Sequence, residues 1–379
     1  MRVALVTENF LPKLDGVTRT LAMLLEHLQL RGHRAIVLGP QGAPEVYAGA
    51  RVYGAPGVPL PIYPELRALF PTPDLEEGLV NFQPDVVHVA EPMLLGAAAI
   101  HWAQKLGAPL VSSYHTDLAA YCAYYQLGAL VNPLWAYRRF LHNQCLHTLC
   151  PSPTTASQVA GRGIQRVGVW PRGVDADLFA PERRSAAWRA QITGGADDTP
   201  IVLYVGRLSP EKNIGALVTA FRSLAESGAH LVLVGDGPAR GELEQVLGRQ
   251  RASFTGYLSG EALATAYASA DVFAFPSLTE TFGQVVQEAM ASGLPVVAFD
   301  AGGVHDLVTH ECTGLLAPAG DAAAFAAALA ALVASPERRT RLGAQGRAFA
   351  MRHTWARVMD ELLEIYTASA ATHPKTRAA

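Results

Sequence analysis

Two basic residues lie five positions apart in the segment Gly206–Lys212, which follows an apolar run of strand length. The guanidinium of Arg207 can bind phosphate in a forked geometry and the ammonium of Lys212 acts as a point charge, so together they can hold one diphosphate. The alternative is a solvated loop in which Ser209 caps a helix. Only four of the 30 basic residues are lysines, so a lysine at this position favours the diphosphate interpretation.

Two carboxylates follow later in the chain, Glu280 in a polar loop and Glu288 in a helical pattern that begins near Gly283. Free N–H groups at the start of a helix, together with the helix dipole, suit an anionic or hydroxyl-rich ligand. Glu288 can accept hydrogen bonds from two vicinal hydroxyls, such as those of a ribose. Alternatively, Glu280 only stabilises the helix dipole and Glu288 is solvated, although its neighbours are apolar. The candidate backbone donors belong to Phe282, Gly283, Gln284 and Val285.

Two further candidates stand at predicted strand ends in the first half of the chain. His115 could hydrogen-bond a substrate hydroxyl or move a proton, although a lone histidine is more often structural. Gly16 would let a ligand approach bare backbone N–H groups at a helix start, or it is a plain turn glycine. No G-x-G-x-x-G fingerprint follows the first strand, so NAD binding is not expected. The turn Gly235–Gly237 is interpreted as structural.

No metal ion is predicted. Asp175-Ala176-Asp177 has the D-x-D form that holds a divalent ion under a nucleotide diphosphate, but it lies in a turn-rich stretch and not after a buried strand. The cysteines fit neither a CxxC pair nor a zinc spacing and indicate a reduced, cytosolic protein. They are Cys122, Cys145, Cys150 and Cys312.

These residues must be positioned by the strands and helices around them. Apolar runs of strand length alternate with segments of helical periodicity along the chain, which is typical of a parallel sheet. The first half is predicted as strands 2–7, 34–39, 85–90 and 109–114 and helices 17–31, 94–106 and 132–147. The second half is predicted as strands 201–206, 230–235, 252–255, 271–275 and 295–299, helices 213–227, 239–249, 260–269 and 283–291, and helices from there to residue 367. Residues 368–379 are predicted to be a frayed tail.

These patterns predict an α/β protein with two doubly wound, Rossmann-like domains facing one another across a cleft, where ligands bind at the carboxyl ends of the strands. The predicted domains are residues 1–173 and 199–352, joined by a linker at 174–198. Residues 353–379 are predicted as a C-terminal helix that returns to the first domain and then a tail.

The 379 residues include 30 basic and 33 acidic side chains, and this near-neutral balance argues against nucleic-acid binding. No apolar run is long enough to span a bilayer. The N-terminal run 1–7 is predicted as a strand and not a signal peptide. Asn132–Leu141 interleaves aromatic residues with Arg138 and Arg139. This pattern predicts either docking on an anionic membrane surface or an ordinary packed helix.

These motifs, together with Arg172–Asp175, Phe179–Pro181 and Gly302-Gly303, resemble those of the family 4 retaining glycosyltransferases of GT-B architecture. The resemblance covers essentially the whole length of the chain. The segments Leu60–Glu65 and Thr279–Met290 look most like bacterial GDP-mannose-dependent α-mannosyltransferases, with sulfoquinovosyltransferases as near relatives. Thr281 stands where many members carry glycine, a difference that bears on the donor sugar.

The resemblance implies that Arg207 and Lys212 bind the donor diphosphate and stabilise the leaving nucleotide. It implies that Glu288 holds the ribose hydroxyls and that Glu280 holds hydroxyls of the donor sugar, assisted by the backbone N–H groups of 282–285. The family uses no metal and no cofactor besides its nucleotide-sugar co-substrate.

The resemblance also places His115 beside the transferred sugar and Gly16 near the donor phosphates and the acceptor. The activity implied is transfer of a hexosyl group, mannose from GDP-mannose first and a UDP-sugar second, to a lipid or glycan hydroxyl. The expected location is the cytoplasm, with possible attachment to the inner face of the cell membrane. The alternatives are a nucleotide-sugar epimerase of the same architecture, which needs no acceptor, and a non-catalytic binding protein.

Overall fold

A computed structural model describes residues 1–13, 15–59, 67–119, 122, 127–196, 198–224, 227–248 and 251–372. The chain forms two compact units. Unit 1 comprises residues 1–171 and the described residues from Trp355 onward, and unit 2 comprises residues 172–354. The segment Leu60–Glu65 lies outside the described residues, as does the end of the predicted tail, 373–379.

Unit 1 is built on a sheet of eight strands in the order β10-β9-β8-β7-β1-β2-β4-β3, counted over its described residues. The strands pair in parallel except for β3, which is antiparallel to β4, and a separate hairpin pairs β5 with β6. The strands are β1 (Arg2–Thr7), β2 (Arg34–Pro40), β3 (Val46–Tyr47), β4 (Ala50–Ala55), β5 (Gly57–Pro59), β6 (Arg67–Leu69), β7 (Val86–Ala90), β8 (Leu110–Ser113), β9 (His147–Cys150) and β10 (Val167–Val169).

The helices of unit 1 cover both faces of this sheet, because two separate buried clusters share its strands. Their bounds are α1 (Gly16–Leu30), α2 (Pro73–Phe82), α3 (Leu94–Lys105), α4 (Gly128–His142), α5 (Pro153–Gly161) and, from the end of the chain, α14 (Trp355–Thr372). Helix α1 begins where the Asp15 side chain accepts a hydrogen bond from the backbone N–H of Thr18, an N-cap. Helix α14 packs its apolar face, including Met359 and Leu362, into the same cluster as α1.

Unit 2 contains a fully parallel sheet of six described strands in the order β13-β12-β11-β14-β15-β16. The strands are β11 (Ile201–Val205), β12 (His230–Val234), β13 (Ala252–Gly256), β14 (Val272–Phe275), β15 (Val296–Asp300) and β16 (Gly314–Pro318). The helices are α6 (Ala186–Thr193), α7 (Ile214–Arg222), α8 (Arg240–Leu247), α9 (Gly260–Ser269), α10 (Gln284–Ala291), α11 (Val304–Leu307), α12 (Ala322–Ala334) and α13 (Pro336–Ala350). Buried clusters on both faces of the sheet form the core.

The predicted α/β class with two doubly wound sheets is confirmed. In such sheets ligands bind outside the carboxyl ends of the strands, at the point where the strand order reverses. That point lies between β1 and β7 in unit 1 and between β11 and β14 in unit 2. The segments that follow β11 and β14 begin with Gly206 and Pro276, and they carry the predicted donor residues.

The predicted linker 174–198 lies inside unit 2 and has structure of its own. Val174 and Phe179 are buried in the core of that unit. Helix α6 begins where the Ser185 hydroxyl accepts a hydrogen bond from the N–H of Trp188, and it ends at the left-handed Gly194. These cap signals are visible in the sequence, but charged neighbours obscure the short apolar face between them.

Three element predictions are wrong in detail. The predicted helix 132–147 is α4, which ends at His142 and is followed by strand β9, so the apolar pattern spans two elements. Strand β16 interrupts the region predicted as wholly helical after residue 299. Helix α14 continues to Thr372, so residues 368–372, predicted as frayed, are helical. Among the described residues, no helix is long and apolar enough to cross a membrane.

Candidate functional site

The diphosphate candidates stand on a backbone that buried groups hold in place. The buried Tyr204 on β11 donates its hydroxyl proton to the carbonyl oxygen of Arg207 at 2.9 Å. Pro210–Lys212 forms a single 3₁₀ turn, closed by the N–H of Lys212 on the carbonyl oxygen of Ser209 at 3.1 Å. Arg207 and Lys212 are both partly exposed at the carboxyl end of the central strand.

The turn Gly235–Gly237 supports this segment from behind. A Cβ atom at Gly235 would lie 2.1 Å from the carbonyl oxygen of Gly206, and one at Gly237 would lie 2.3 Å from that of Leu208. The N–H of Leu208 also donates to the carbonyl oxygen of Asp236 at 2.9 Å. The glycines are therefore required for the close approach of two backbones, which agrees with the structural interpretation of this turn.

The first carboxylate, Glu280, is brought to the diphosphate segment by an ion pair. Nζ of Lys212 contacts Oε1 of Glu280, and the Ser277 hydroxyl donates to the same oxygen at 3.2 Å. The side chains of Lys212 and Glu280 are 21% and 19% exposed, so the pair is accessible to a ligand. The amide of Asn213 donates to the carbonyl oxygen of Pro276 at 3.2 Å and fastens the two segments together.

The glycines at 302 and 303 have a defined role behind Glu280. The N–H of Gly303 donates to the carbonyl oxygen of Glu280 at 2.8 Å. A Cβ atom at Gly302 would lie 2.3 Å from that oxygen, and a Cβ atom at Gly303 would lie 2.4 Å from the carbonyl oxygen of Thr281. Any larger residue at either position would displace the loop that carries Glu280.

Helix α10 holds the remaining candidates of unit 2. Its N-cap is Gly283, with a left-handed φ of 99°, and the first N–H groups of any helix lack intrahelical partners. Glu288, on the fifth residue of the helix, is 1% exposed, and the Tyr267 hydroxyl donates to its Oε2 at 3.2 Å. The solvated alternative for Glu288 is therefore wrong.

The side chains of Gln284 and Gln287 tie α10 to the start of unit 2. The amide of Gln284 donates to the carbonyl oxygen of Gly173 at 2.9 Å, and that of Gln287 donates to Arg172 at 3.0 Å. The side-chain amide of Gln284 thus holds the helix in place, and its backbone N–H remains the candidate donor-binding group. The carbonyl oxygens of Arg172 and Gly173 therefore anchor helix α10.

In unit 1, buried charges fix the loop that carries His115. The backbone N–H groups of His115 and Thr116 donate to Oε2 of Glu91 at 2.7 and 2.6 Å. Arg138 pairs with Oε1 of Glu91 and donates to the carbonyl oxygen of Thr116 at 3.0 Å. The guanidinium carbon lies 4.1 Å from the centroid of the Tyr114 ring. Sequence reasoning missed Glu91, because nothing local connects it to an arginine on a distant helix.

This arrangement removes Arg138 from the predicted membrane-docking face of α4. Arg138 is fully buried and ion-paired, so it cannot face an anionic surface. Trp135 is also buried, whereas Arg139 and Phe140 are exposed. The buried side of α4 therefore holds the His115 loop, and docking on a membrane through the exposed side stays a prediction.

Gly16 is the first residue of α1, at the carboxyl edge of β1. No described atom outside its own helix and its chain neighbours lies within 4 Å of where a Cβ atom would stand, so packing does not demand glycine there. Open space beside a helix N-terminus is compatible with a ligand that approaches the backbone.

A second buried carboxylate at this sheet edge, Glu8, was not predicted from the sequence. Its oxygens accept hydrogen bonds from the backbone N–H groups of Leu69 at 3.2 Å, Met93 at 3.1 Å and Gly96 at 3.2 Å. The side chain thus joins β1 to β6 and to the start of α3. Burial raises the pKa of Glu8 to about 7, against the opposing effect of these hydrogen bonds.

We expect Glu8 to make the stability of unit 1 depend on pH. Because its pKa is raised to about 7 on folding, its contribution is complete below the ordinary value of 4.5 and is lost as the pH rises through 7. The loss amounts to about 3 kcal/mol. The difference in unfolding midpoint between the wild type and Glu8→Gln should therefore decrease from pH 4.5 to 7. The exposed Glu77→Gln serves as the control, and parallel pH profiles for wild type and Glu8→Gln would contradict this expectation.

The predicted turn role of the D-x-D sequence is confirmed. Oδ1 of Asp175 accepts a hydrogen bond from the N–H of Leu178 at 2.9 Å, which closes a turn. In the part of the chain that the structure describes, no group of three His, Cys, Asp or Glu residues is placed to hold a metal ion.

Two family models match the chain, one in each half. Residues 14–178 match the model described as Glycosyltransferase Family 4, and residues 189–349 match Glycosyl transferases group 1. The chain is 42% identical to a GDP-mannose-dependent alpha-mannosyltransferase of Mycobacterium tuberculosis, and the match covers 97% of each chain. It is 35% identical to a sulfoquinovosyl transferase of Arabidopsis thaliana, over 93% of this chain and 71% of that protein.

A solved structure agrees in fold. The crystal structure of Anabaena HepE in complex with UDP has a TM-score of 0.78 to this chain at 19% identity, covering 97% of this chain and 100% of the other. The architecture of the chain is therefore GT-B, as its resemblance implied, with both units of the doubly wound kind.

Proposed function

The chain belongs to the family 4 glycosyltransferases, and we propose that it transfers mannose from GDP-mannose to a hydroxyl of a lipid or glycan, with retention of the anomeric configuration. The observation that carries this proposal is the match, over nearly the full length of both chains, to mannosyltransferases that use GDP-mannose. A UDP-sugar is the second candidate donor. Relatives named for transfer of sulfoquinovose and for glucosyl lipid synthesis also match the chain, so the sugar itself is open to test.

Arg207 and Lys212 bind the donor diphosphate in this proposal. Two fixed cations at the strand edge stabilise the negative charge that develops on the diphosphate as the sugar leaves, and they do so without reorganising. We propose that they perform the role that a metal ion has in other transferases, so that the reaction needs no metal.

Glu280 and Glu288 bind the two remaining parts of the donor, the ribose and the transferred sugar. Glu288 accepts hydrogen bonds from the ribose hydroxyls, and Glu280 holds hydroxyls of the transferred sugar. The backbone N–H groups of 282–285 contribute the positive end of α10. The pairing of Glu280 with Lys212 supports this assignment, because it puts the sugar carboxylate beside the diphosphate cation.

We propose that His115 hydrogen-bonds the transferred sugar and that a donor phosphate or the acceptor approaches the backbone N–H groups beside Gly16. The anomeric bond breaks through an oxocarbenium-like state, and the acceptor oxygen enters on the face from which the nucleotide leaves. The departing phosphate oxygen accepts the acceptor proton, so the reaction requires no separate base from the protein.

A donor screen tests this function. GDP-mannose, GDP-glucose and UDP-glucose are each incubated with the enzyme, with and without lipid and glycan acceptors, and nucleotide release is measured in buffer and in EDTA. We expect release to be fastest from GDP-mannose, to require an acceptor and to persist in EDTA. Preferred release from UDP-glucose would overturn the donor assignment, and loss of activity in EDTA would overturn metal independence.

A further inference from the structure

A continuous chain of hydrogen bonds runs through the interior of unit 1 from helix α14 to His115. The Tyr366 hydroxyl lies 2.5 Å from Nδ1 of His88, on β7. Nε2 of His88 lies 2.8 Å from Oγ of Ser113, at the end of β8. The same Ser113 oxygen lies 2.6 Å from Nε2 of His115. These hydrogen bonds connect α14, the last described helix, to His115, the histidine that the proposed function places beside the sugar.

The members of this chain are held rigidly. Tyr366, His88 and Ser113 are fully buried, and His115 is 4% exposed. Trp170, 2% exposed, packs edge-on against both imidazoles, with ring centroids 5.6 Å from His88 and 6.1 Å from His115. Buried hydrogen-bond chains of this kind fix each group in one orientation, because breaking any bond leaves a polar atom unsatisfied.

The position of each proton follows from the phenol at the buried end. Burial raises the pKa of Tyr366 well above its ordinary value, so the phenol keeps its proton. Among the described contacts that proton has His88 Nδ1 as its acceptor. Neutral His88 then donates from Nε2 to Ser113, and the Ser113 hydroxyl proton donates to Nε2 of His115. In the opposite direction the phenol proton would be buried without an acceptor among the described residues.

We propose that Tyr366 acts through His88 and Ser113 to fix the neutral tautomer of His115 with its ring proton on Nδ1, and so sets that nitrogen as a hydrogen-bond donor. The consequence of this fixed tautomer for catalysis rests on the proposed function, in which His115 contacts the transferred sugar. Tyr366, His88 and Ser113 are then positioning residues, since they act only through His115.

The tautomer is measured directly on protein labelled with ¹⁵N histidine, by long-range proton–nitrogen correlation at alkaline pH. The His115 signals among the 12 histidines are identified by their loss in His115→Asn. We expect the proton on Nδ1 in the wild type and a mixture of tautomers in Tyr366→Phe. A proton on Nε2 in the wild type, or no change in Tyr366→Phe, would overturn the proposal.

Ser369→Ala is the matched control, because it removes another buried hydroxyl from the same helix, one that bonds only the Ile365 carbonyl in the described contacts. We expect Tyr366→Phe to lower kcat about tenfold, the effect of one lost hydrogen bond, with KM for the donor nearly unchanged, and Ser369→Ala to leave kcat unchanged. Equal losses in both variants would mean that the helix acts only through stability, against the proposal.

Ser113→Ala interrupts the series of hydrogen bonds next to His115 and leaves α14 unchanged. This variant tests the tautomer proposal if Tyr366→Phe does not fold. We expect it to give the same mixture of tautomers, and an unchanged tautomer would overturn the proposal. The spectra need no substrate. If the tautomer shifts but the wild type does not turn over GDP-mannose, the proposed function fails and the role of Tyr366 stands.

Discussion

Arg207→Ala and Lys212→Ala are each expected to lower kcat for sugar transfer by about 100-fold to 1,000-fold, the usual effect of removing one preorganised charge from a transition state. Both residues follow the central strand of unit 2, on a backbone held by Tyr204 and by the glycines behind it. Neither side chain belongs to the buried core, so the variants should fold normally. Steady-state transfer kinetics and thermal unfolding measure the two effects.

The chain offers a matched control for each charge. Lys105→Ala removes a lysine whose side chain is 60% exposed in unit 1, and Arg222→Ala removes an exposed arginine of unit 2. Both controls should retain wild-type kcat. If Arg207→Ala and Lys212→Ala both retained nearly normal turnover, these two residues would not hold the leaving diphosphate.

Glu280→Gln is expected to lower kcat by about 10-fold to 100-fold without weakening GDP binding. The carboxylate accepts the stronger, charge-assisted hydrogen bonds, and an amide has one acceptor oxygen instead of two. Lys212 loses its ion-pair partner in this variant and can still bind the diphosphate. Calorimetric titration with GDP, beside transfer kinetics, separates the effect on the sugar from any effect on the nucleotide.

Glu288→Gln is the informative comparison, since the same change is made eight positions later in the same segment. It should weaken GDP binding by about 10-fold or more, and the difference from wild type should disappear with 2′,3′-dideoxy-GDP. Glu261→Gln, at a carboxylate 83% exposed in unit 2, controls for the loss of charge. Weaker GDP binding in Glu280→Gln and not in Glu288→Gln would reverse the two assignments.

The placement of the donor-binding candidates was predictable because these residues lie in short segments after two strands, and their roles stay predictions. Arg207 and Lys212 lie in the segment after β11, Glu280 lies in the loop after β14, and Glu288 lies in helix α10, which follows that loop. The adjacent parallel strands bring the two segments together. The carboxyl ends of parallel strands lie at one edge of the sheet, so residues that follow different strands come close together. The residues at the strand ends were therefore sufficient to predict this placement.

The buried residues that hold the His115 loop in place were not predictable, because the partners in each contact are far apart in sequence. Arg138 and Glu91 belong to different elements, and only the packed structure shows that the arginine is buried and paired. His88 stands in an apolar run, Val86–Ala90, and its relation to Tyr366 depends on where α14 docks. A polar residue inside a fully buried strand was the one available signal that a hydrogen-bonded network exists there.

Strands β9 and β16 are two of the strands that were missed, and they show why pairing matters. Strand β9 follows α4 after the connection 143–146, and the predicted helix 132–147 runs across that connection. Pairing with a neighbouring strand decides such segments, β9 with β8 and β16 with β15. Local periodicity does not encode that pairing.

Analysis of the transfer product tests the central claim most directly. GDP-mannose labelled with ¹³C at the anomeric carbon is incubated with enzyme and the acceptor that supports nucleotide release, and the product is examined by mass spectrometry and NMR. We predict an acceptor that carries one labelled mannose in the α configuration. A β-linked product would contradict retention, and label that stays in the nucleotide sugar or appears in a sugar epimer would contradict transfer itself.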